Sequence, residues 1–312
     1  MFRYIIKRLL LLIPVLIGVS IIVFAIMRIF SPDPAPIVLG QHATEASIQA
    51  WRESNGLNSP MYIQYWDFLK GIFTGNLGNS YYTKTPVLNE ILVRFPATVE
   101  LALCSIIFAS IFGIIIGVIS AVKKNSIFDN IGMLFALIGV SMPIFWLGLL
   151  LIIIFSSTLG ILPSGGRIDP LMQPQGLTGL YLLDTLILCD FEAFGDALKH
   201  IILPASALGL SSMAIITRMT RSSMLETLNQ DYIRTARSKG ISEGKVIRKH
   251  ALRNALIPIV TVIGLQLGSL LGGAVLTESV FAWPGIGSYT VNAILKSDFP
   301  VVQGVVMLIA II

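Results

Sequence analysis

Charge is what this chain is shortest of. Only 12% of its 312 residues are Asp, Glu, Lys or Arg, against 54% hydrophobic residues, and its mean hydropathy is +0.81. Ordinary soluble domains carry roughly twice that share of charge, so a water-facing globule is excluded. Cysteine is nearly absent. Cys104 lies in an apolar run and Cys189 in a polar segment, with no motif spacing, which leaves a disulfide framework or a zinc site without support. The three histidines, His42, His200 and His250, are scattered, and neither HExxH nor a GxSxG elbow occurs. No metal site and no catalytic residue is therefore expected on this chain.

Charge is missing above all from long blocks. Leu9 to Met27, Leu101 to Val122, Ile201 to Thr217 and Asn254 to Thr277 contain none, and Asn130 to Asp169 carries charge only at its end, at Arg167 and Asp169. A hydrocarbon core of about 30 Å takes about 20 helical residues to cross, and each block is of that order. The expected fold class is all-α, a polytopic membrane protein surrounded by lipid. The net charge of +5 is then a matter of individual loops, and no nucleic-acid partner is implied.

The basic, apolar start MFRYIIKRLLLLIPVLIGVSIIVFAIM resembles a secretory signal, but it is longer than the usual apolar region of about 7 to 15 residues and runs into Arg28, Ile29 and Phe30 without small residues. It reads as a retained first span. Arg3, Lys7 and Arg8 precede that span, Lys123 and Lys124 follow the second, and Arg218 to Arg253 holds nine Lys or Arg against three acids. Ser31 to Ala97 has four basic and five acidic residues, and Gly160 to His200 has two and five. The positive-inside rule places the first group in the cytoplasm with the N-terminus and the second group outside. Five complete spans result, and a sixth begins near Val301. Its run VVQGVVMLIAII has 12 residues, too few to cross, so the chain is expected to end inside its last span.

In SPMYIQYWDFLKGIFTG, Ser59 is placed to cap a helix, Pro60 to open it and Gly71 to stop it. Tyr62, Tyr65, Trp66 and Phe68 give that helix an aromatic side, better suited to an interfacial anchor than to a ligand box. Gly113 and Gly117 form a GxxxG in the second span, and Gly264, Gly268 and Gly272 repeat it in the fifth. Such spacing lets helices approach closely; it reads as packing, with a dimer face in the fifth span as the alternative.

Two transport readings compete for an energy source. GISEGKV, residues 240 to 246, approaches a nucleotide loop but has three residues between its glycines where four are needed, and Val246 replaces the magnesium-binding hydroxyl. ATP hydrolysis by this chain is not expected. An ion-coupled secondary transporter is the rival, yet the span interiors lack the carboxylates and histidines that proton coupling uses. Glu100, Arg28 and Glu278 sit near span ends, where interfacial snorkelling accounts for them.

The segment DYIRTARSKGISEGKVIRKHALRNALIP, residues 231 to 258, concentrates seven Lys or Arg with two acids. Topogenesis and attraction to anionic lipid explain the sign. The pattern predicts more: a short helix over Tyr232 to Lys239, a corner at Gly240, a Ser242 cap on a second short helix, and a fifth span starting at Pro258. Small residues at Thr235, Ala236 and Ser238 would let another protein come close.

RTARSKG, residues 234 to 240, with the downstream NALIP, resembles the cytoplasmic EAA loop of permeases of binding-protein-dependent ABC importers, in its dipeptide, oligopeptide and nickel form. Arg234 and Thr235 replace the first two consensus positions, while Ala236 and Gly240 match. RYIIKRLLLLIPVL, GNLGNSYYTKTPVLNEILVRFPATVELAL, SMPIFWLGLLLI, DYIRTARSKGIS and ESVFAWPGIG extend the resemblance, in order, over essentially the whole chain. It implies a six-span ABC permease fold: residues 1–30 the N-terminus and first span, 31–97 an external segment, and 98–312 the permease core with its coupling loop at about 221–256. It also implies a homologous second permease, two ATPase subunits that hold ATP and Mg, an external solute-binding protein, and no cofactor on this chain. Arg234, Thr235, Ala236, Arg237, Ser238, Lys239 and Gly240 would form the element that docks on the ATPase.

ESVFAWPGIG follows the fifth span, and Pro284, Gly285 and Gly287 force a turn there. Glu278, Phe281, Trp283, Pro284, Gly285 and Gly287 either line an external mouth, dock the binding protein, or make a purely structural turn. The expected cargo is a di- or oligopeptide, with nickel or a metal chelate as the alternative. A membrane scaffold without transport would leave the coupling loop unexplained.

Overall fold

The computed structural model describes residues 2–40, 42–176 and 178–312. The side chains at 2, 4, 5, 8 and 9, including the Arg8 counted above, lie outside the described set. Regular structure among the described residues is helical, apart from one isolated antiparallel bridge between Asn79 and Pro86. In chain order the helices are α1 (Phe2–Ile29), α2 (Pro34–Leu39), α3 (Glu45–Ser54), α4 (Met61–Thr74), α5 (Val87–Val122), α6 (Ile127–Ser141) and α7 (Ile144–Leu151), which a π-helical stretch Ile152–Thr158 prolongs. There follow α8 (Tyr181–Ile187), α9 (Phe191–Leu228), α10 (Asp231–Ser238), α11 (Glu243–Lys245), α12 (Leu252–Gly273), α13 (Val275–Val280), α14 (Ile286–Leu295) and α15 (Phe299–Ile311).

Among the described residues, four helical stretches are long and apolar enough to cross a membrane: Leu10–Ile29, Val87–Val122, Phe191–Leu228 and Glu243–Gly273. The block expected to give the third crossing is instead a bent pair of helices. Pro143 has no N–H to continue the ladder, and it holds Met142 extended at φ −84° and ψ 133°, so α6 and α7 meet at 108°. Counting that pair as one span gives at most five. That equals the five complete spans expected; α15, where a cut-short sixth was expected, has 13 residues, so a count of six is not established among the described residues.

The chain divides into two compact units. Unit 1 comprises Met1–Pro96 with Gly285–Ile312. Its core joins Val23 and Met27 of α1 to Val301, Val302 and Val305 of α15, with Val87 and Ile91 from the start of α5. Asp298 is the polar centre: its carboxylate accepts from Ser80 Oγ at 2.5 Å and from Tyr81 N–H at 3.1 Å. Burial pushes its pKa up, against the pull of those donors.

The aromatic helix α4 departs from expectation at both ends. Pro60, not Ser59, holds the N-cap position, with no side-chain cap bond, and the chain turns left-handed at Gly75 rather than stopping at Gly71. Its aromatics divide. Tyr65 and Phe68 pack on Phe24 of α1, with ring centroids 5.3 and 6.2 Å away, and the Tyr65 hydroxyl lies 2.9 Å from Ser20 Oγ. Tyr62 and Trp66 stay exposed, as an interfacial anchor requires.

Unit 2 comprises Ala97–Pro284 and is built on α9. At 38 residues α9 is about 57 Å long, nearly twice the hydrocarbon thickness, so it carries its charged end well beyond the apolar zone. Glycines set the packing around it. A Cβ on Gly113 would stand 2.9 Å from Ile216, one on Gly117 would stand 2.5 Å from Thr220 Cβ, and one on Gly209 would stand 2.7 Å from the Ser105 carbonyl. The GxxxG of α5 is thus an internal seam. The α12 glycines differ: Gly264 and Gly268 have open space where a Cβ would go. Asp129, at the start of α6, is clamped by Arg221 of α9 at 2.6 and 2.7 Å.

Candidate functional site: the coupling loop and a buried polar network

The loop expected to couple to an ATPase begins where α9 ends. Its helix α10 is amphipathic: Ile233 and Ala236 are buried and join a core with Val246 and Ala251, while Arg234, Thr235, Arg237, Ser238, Lys239 and Gly240 are exposed. Ala236 therefore differs from its expected role. Only 6% exposed, it is an anchor beneath the loop rather than a contact on its surface. The exposed side of α10 is short and basic.

Gly240 makes the corner at φ +71°, in the left-handed region where a Cβ costs about 1–2 kcal/mol. Across it, the Arg237 guanidinium donates twice to Glu243, from Nε at 3.1 Å and from Nη2 at 2.6 Å. An exposed pair of this kind adds at most about 1 kcal/mol, so its effect is to orient the corner. A second tie links Asn254 Nδ2 to the Tyr232 hydroxyl at 2.8 Å.

Beyond the corner two expectations fail. Ser242 precedes α11, but its hydroxyl makes no cap bond; its carbonyl accepts from Lys245 and Val246 N–H at 2.9 and 3.0 Å instead. Nor is there a separate second short helix. From α11 the chain runs through a π-helical stretch, Val246–Ala251, straight into α12, and Pro258 lies inside that helix rather than at its start. The loop is thus one short helix joined through the Gly240 corner to a helix that runs on into α12.

The second candidate, around FAWPGIG, proves to be a packed turn. Phe281 and Trp283 are each 1% exposed and Glu278 is fully buried. Ala282 takes φ +47°, Trp283 N–H donates to the Glu278 carbonyl at 2.8 Å, and Trp283 Nε1 donates to the Ala97 carbonyl at 2.8 Å. Gly165 must be glycine here, since a Cβ would stand 2.5 Å from the Phe281 carbonyl. Pro284 is exposed, while Gly285 and Gly287 belong to unit 1, where Gly285 holds the N-cap position of α14.

Residues that the sequence left unassigned or assigned otherwise surround this turn. Glu100 Oε2 accepts from Arg167 Nε and Nη2 at 2.9 and 2.6 Å, and Glu100 Oε1 accepts from Leu182 N–H at 2.7 Å. Arg167 also donates to the Gly179 carbonyl at 2.5 Å and lies 3.7 Å from the Tyr181 ring and 5.9 Å from that of Trp283. Glu278 accepts from Thr98 Oγ1 at 2.5 Å. Snorkelling is thus not what Glu100 and Glu278 do: both are buried in polar networks, and the loop 160–180 is fastened to the top of α5 through the first. The available signal was Arg167, a cation inside an acidic segment at the end of an apolar block.

Two family profiles cover nearly the whole chain. Residues 113–312 match the binding-protein-dependent transport system inner membrane component, and residues 1–102 match the N-terminal component of the same systems. Among curated proteins, the chain is 50% identical over 312 residues to the dipeptide transport system permease protein of Alkalihalophilus pseudofirmus, covering 100% of this chain and 94% of that one. It is 48% identical over 311 residues to the di/tripeptide transport system permease protein of Pseudomonas aeruginosa, covering 99% and 93%. It is also 46% identical over 315 residues to the dipeptide transport system permease protein of Escherichia coli K12, again covering 99% and 93%. This polytopic membrane protein belongs to the binding-protein-dependent transport permeases.

Proposed function

We propose that the chain is the permease subunit of an ATP-driven ABC importer carrying dipeptides into the cell. It pairs in the cell's inner membrane with a homologous second permease, sits on two ATPase subunits, and receives cargo from an external solute-binding protein. The observation that carries the cargo is the 46–50% identity, over 99% or more of the chain, to permeases named for di- and tripeptides. No observation favours nickel.

ATP and Mg belong to the partners in this reading, because 240–246 departs from a phosphate-binding loop at two points. The N-terminus and the 221–256 loop face the cytoplasm, as their Lys and Arg excess requires. Residues 31–97 form an external segment, and 98–312 form the permease core. The exposed ridge of Arg234, Thr235, Ser238 and Lys239 meets the ATPase, and Ile233 and Ala236 fix the ridge to the bundle. Closure of the ATPases then displaces α10 as a body, and the continuous α11–α12 helix carries the motion into the membrane. The second permease packs on the face of α12 that presents Ile257, Val260, Gly264 and Gly268, which this chain leaves uncovered. Within unit 2, the buried Glu278, Phe281 and Trp283 brace an external mouth rather than touch cargo.

Ser238→Trp enlarges the exposed ridge without disturbing the anchor. Membrane levels should stay normal while ATPase subunits no longer copurify and dipeptide uptake is lost; retained copurification and uptake would sink the docking role. Ala236→Glu is expected to abolish uptake too, but by burying a carboxylate and loosening the loop, seen as faster proteolysis near residue 240.

A further inference from the structure

Unit 1 contains a polar hollow of about 350 Å³, bounded by the end of α1, by α4, by the chain near Tyr81 and by the start of α15. Among its lining residues are Arg28, Gln64, Asp67, Lys70, Tyr81 and Gln303. Three of these carry buried polar atoms with no hydrogen-bond partner: Arg28 Nε, Gln64 Oε1 and Gln303 Nε2. Gln303 is only 6% exposed, on an otherwise apolar helix. Buried polar atoms are nearly always paired in folded proteins, so three orphans around one cavity point to a group that supplies the missing partners.

The chemistry of that group follows from the lining. Arg28 Nε and Gln303 Nε2 are donors, which a carboxylate satisfies. Gln64 Oε1 is an acceptor, and Gln64 already spends its amide nitrogen on the Leu57 and Ser59 carbonyls. Asp67 adds a carboxylate and Lys70 a second cation; among the described residues none of Arg28, Asp67 and Lys70 makes an ion pair. The Arg28 guanidinium lies 4.8 Å from the Phe299 ring and also meets Tyr81, which fixes it at the end of α1, and α4 brings the exposed Asp67 and Lys70 to the same hollow, so both signs of charge line it. A hollow of this size is at the small end of ligand pockets. Phe68 and Leu77 give it an apolar side.

We propose that this hollow is a binding site for a small zwitterionic peptide, its carboxylate held by Arg28 and Gln303 and its ammonium by Asp67 and Gln64. The site would lie wholly within unit 1. The proposal rests on the dipeptide reading for its choice of zwitterion, while the orphaned atoms stand independently of it.

The test uses the chain purified with whatever subunits accompany it, in lipid nanodiscs without binding protein, and radiolabelled L-alanyl-L-alanine as probe. Saturable binding is expected, weakened about tenfold or more by Gln303→Leu and by Asp67→Asn, and by acetylating or amidating the probe's termini. Unchanged melting midpoints in both variants separate loss of the site from loss of fold; Gln303→Glu, which keeps the shape and repels the carboxylate, serves if Gln303→Leu melts early. Absence of binding up to about 10 mM, binding indifferent to all three variants, or binding indifferent to blocked termini overturns the proposal. Absent binding with dipeptide uptake intact in cells refutes the site alone, whereas absent uptake refutes the cargo reading.

Discussion

Removing Arg167 should be among the most damaging single changes in unit 2. The guanidinium makes two bonds to Glu100 and one to the Gly179 carbonyl, and it is only 7% exposed. Arg167→Met keeps much of the length and volume but leaves the 4%-exposed Glu100 without its cation. Breaking a buried pair from one side costs about 3–5 kcal/mol. At roughly 2–4 °C per kcal/mol for a unit of this size, the melting midpoint should fall by roughly 6–20 °C. The double variant Arg167→Met with Glu100→Leu removes both charges and recovers part of the loss. Recovery stays incomplete because the Leu182 N–H and the Gly179 carbonyl lose their partners, at about 1–3 kcal/mol each. The assay is thermal melting in detergent, read by size-exclusion of the fluorescently tagged protein. A fall of under about 2 °C for Arg167→Met, or a double variant worse than the sum of the singles, would refute the buried-pair argument.

Two further outcomes separate roles that look alike in sequence. Gly117→Leu should destabilise the chain by about 1–3 kcal/mol through collision with Thr220 and the Thr217 carbonyl, whereas Gly264→Leu should leave the chain's own melting unchanged and reduce copurification of a second permease; equal melting of the two variants counts against this division. Asp298 gives a pH signature. Its folded pKa is raised above the unfolded value, so its ionisation opposes folding: the penalty is absent below the unfolded pKa and grows as pH rises through the folded one. The stability of unit 1 should fall across that acid window, and Asp298→Asn should flatten the profile; an unaltered slope in the variant speaks against the assignment.

The spans and the corner at Gly240 were legible in the sequence because each depends on local chemistry. An apolar run must be helical in lipid, and a glycine after a basic turn must end it. Pro143 was equally visible, but the uncharged residues around it read as one continuous block, so the 108° break was missed. What escaped altogether depends on distance along the chain. Ala236 reads as a small surface residue until Val246 and Ala251 are folded over it. Glu100 and Glu278 read as span-end charges until Arg167 and Thr98 arrive from 67 and 180 residues away. The orphaned amide of Gln303 had no sequence signal beyond being a polar residue in an apolar run.

The central claim is that this chain moves dipeptides only as part of an ATP-driven assembly. Reconstitution into liposomes tests it most directly, comparing the chain alone with the chain together with its copurifying subunits and a solute-binding protein. The account predicts uptake of labelled L-alanyl-L-alanine only by the assembly, only with ATP and Mg, and not with Ser238→Trp. Uptake by the chain alone under a proton or sodium gradient would contradict it.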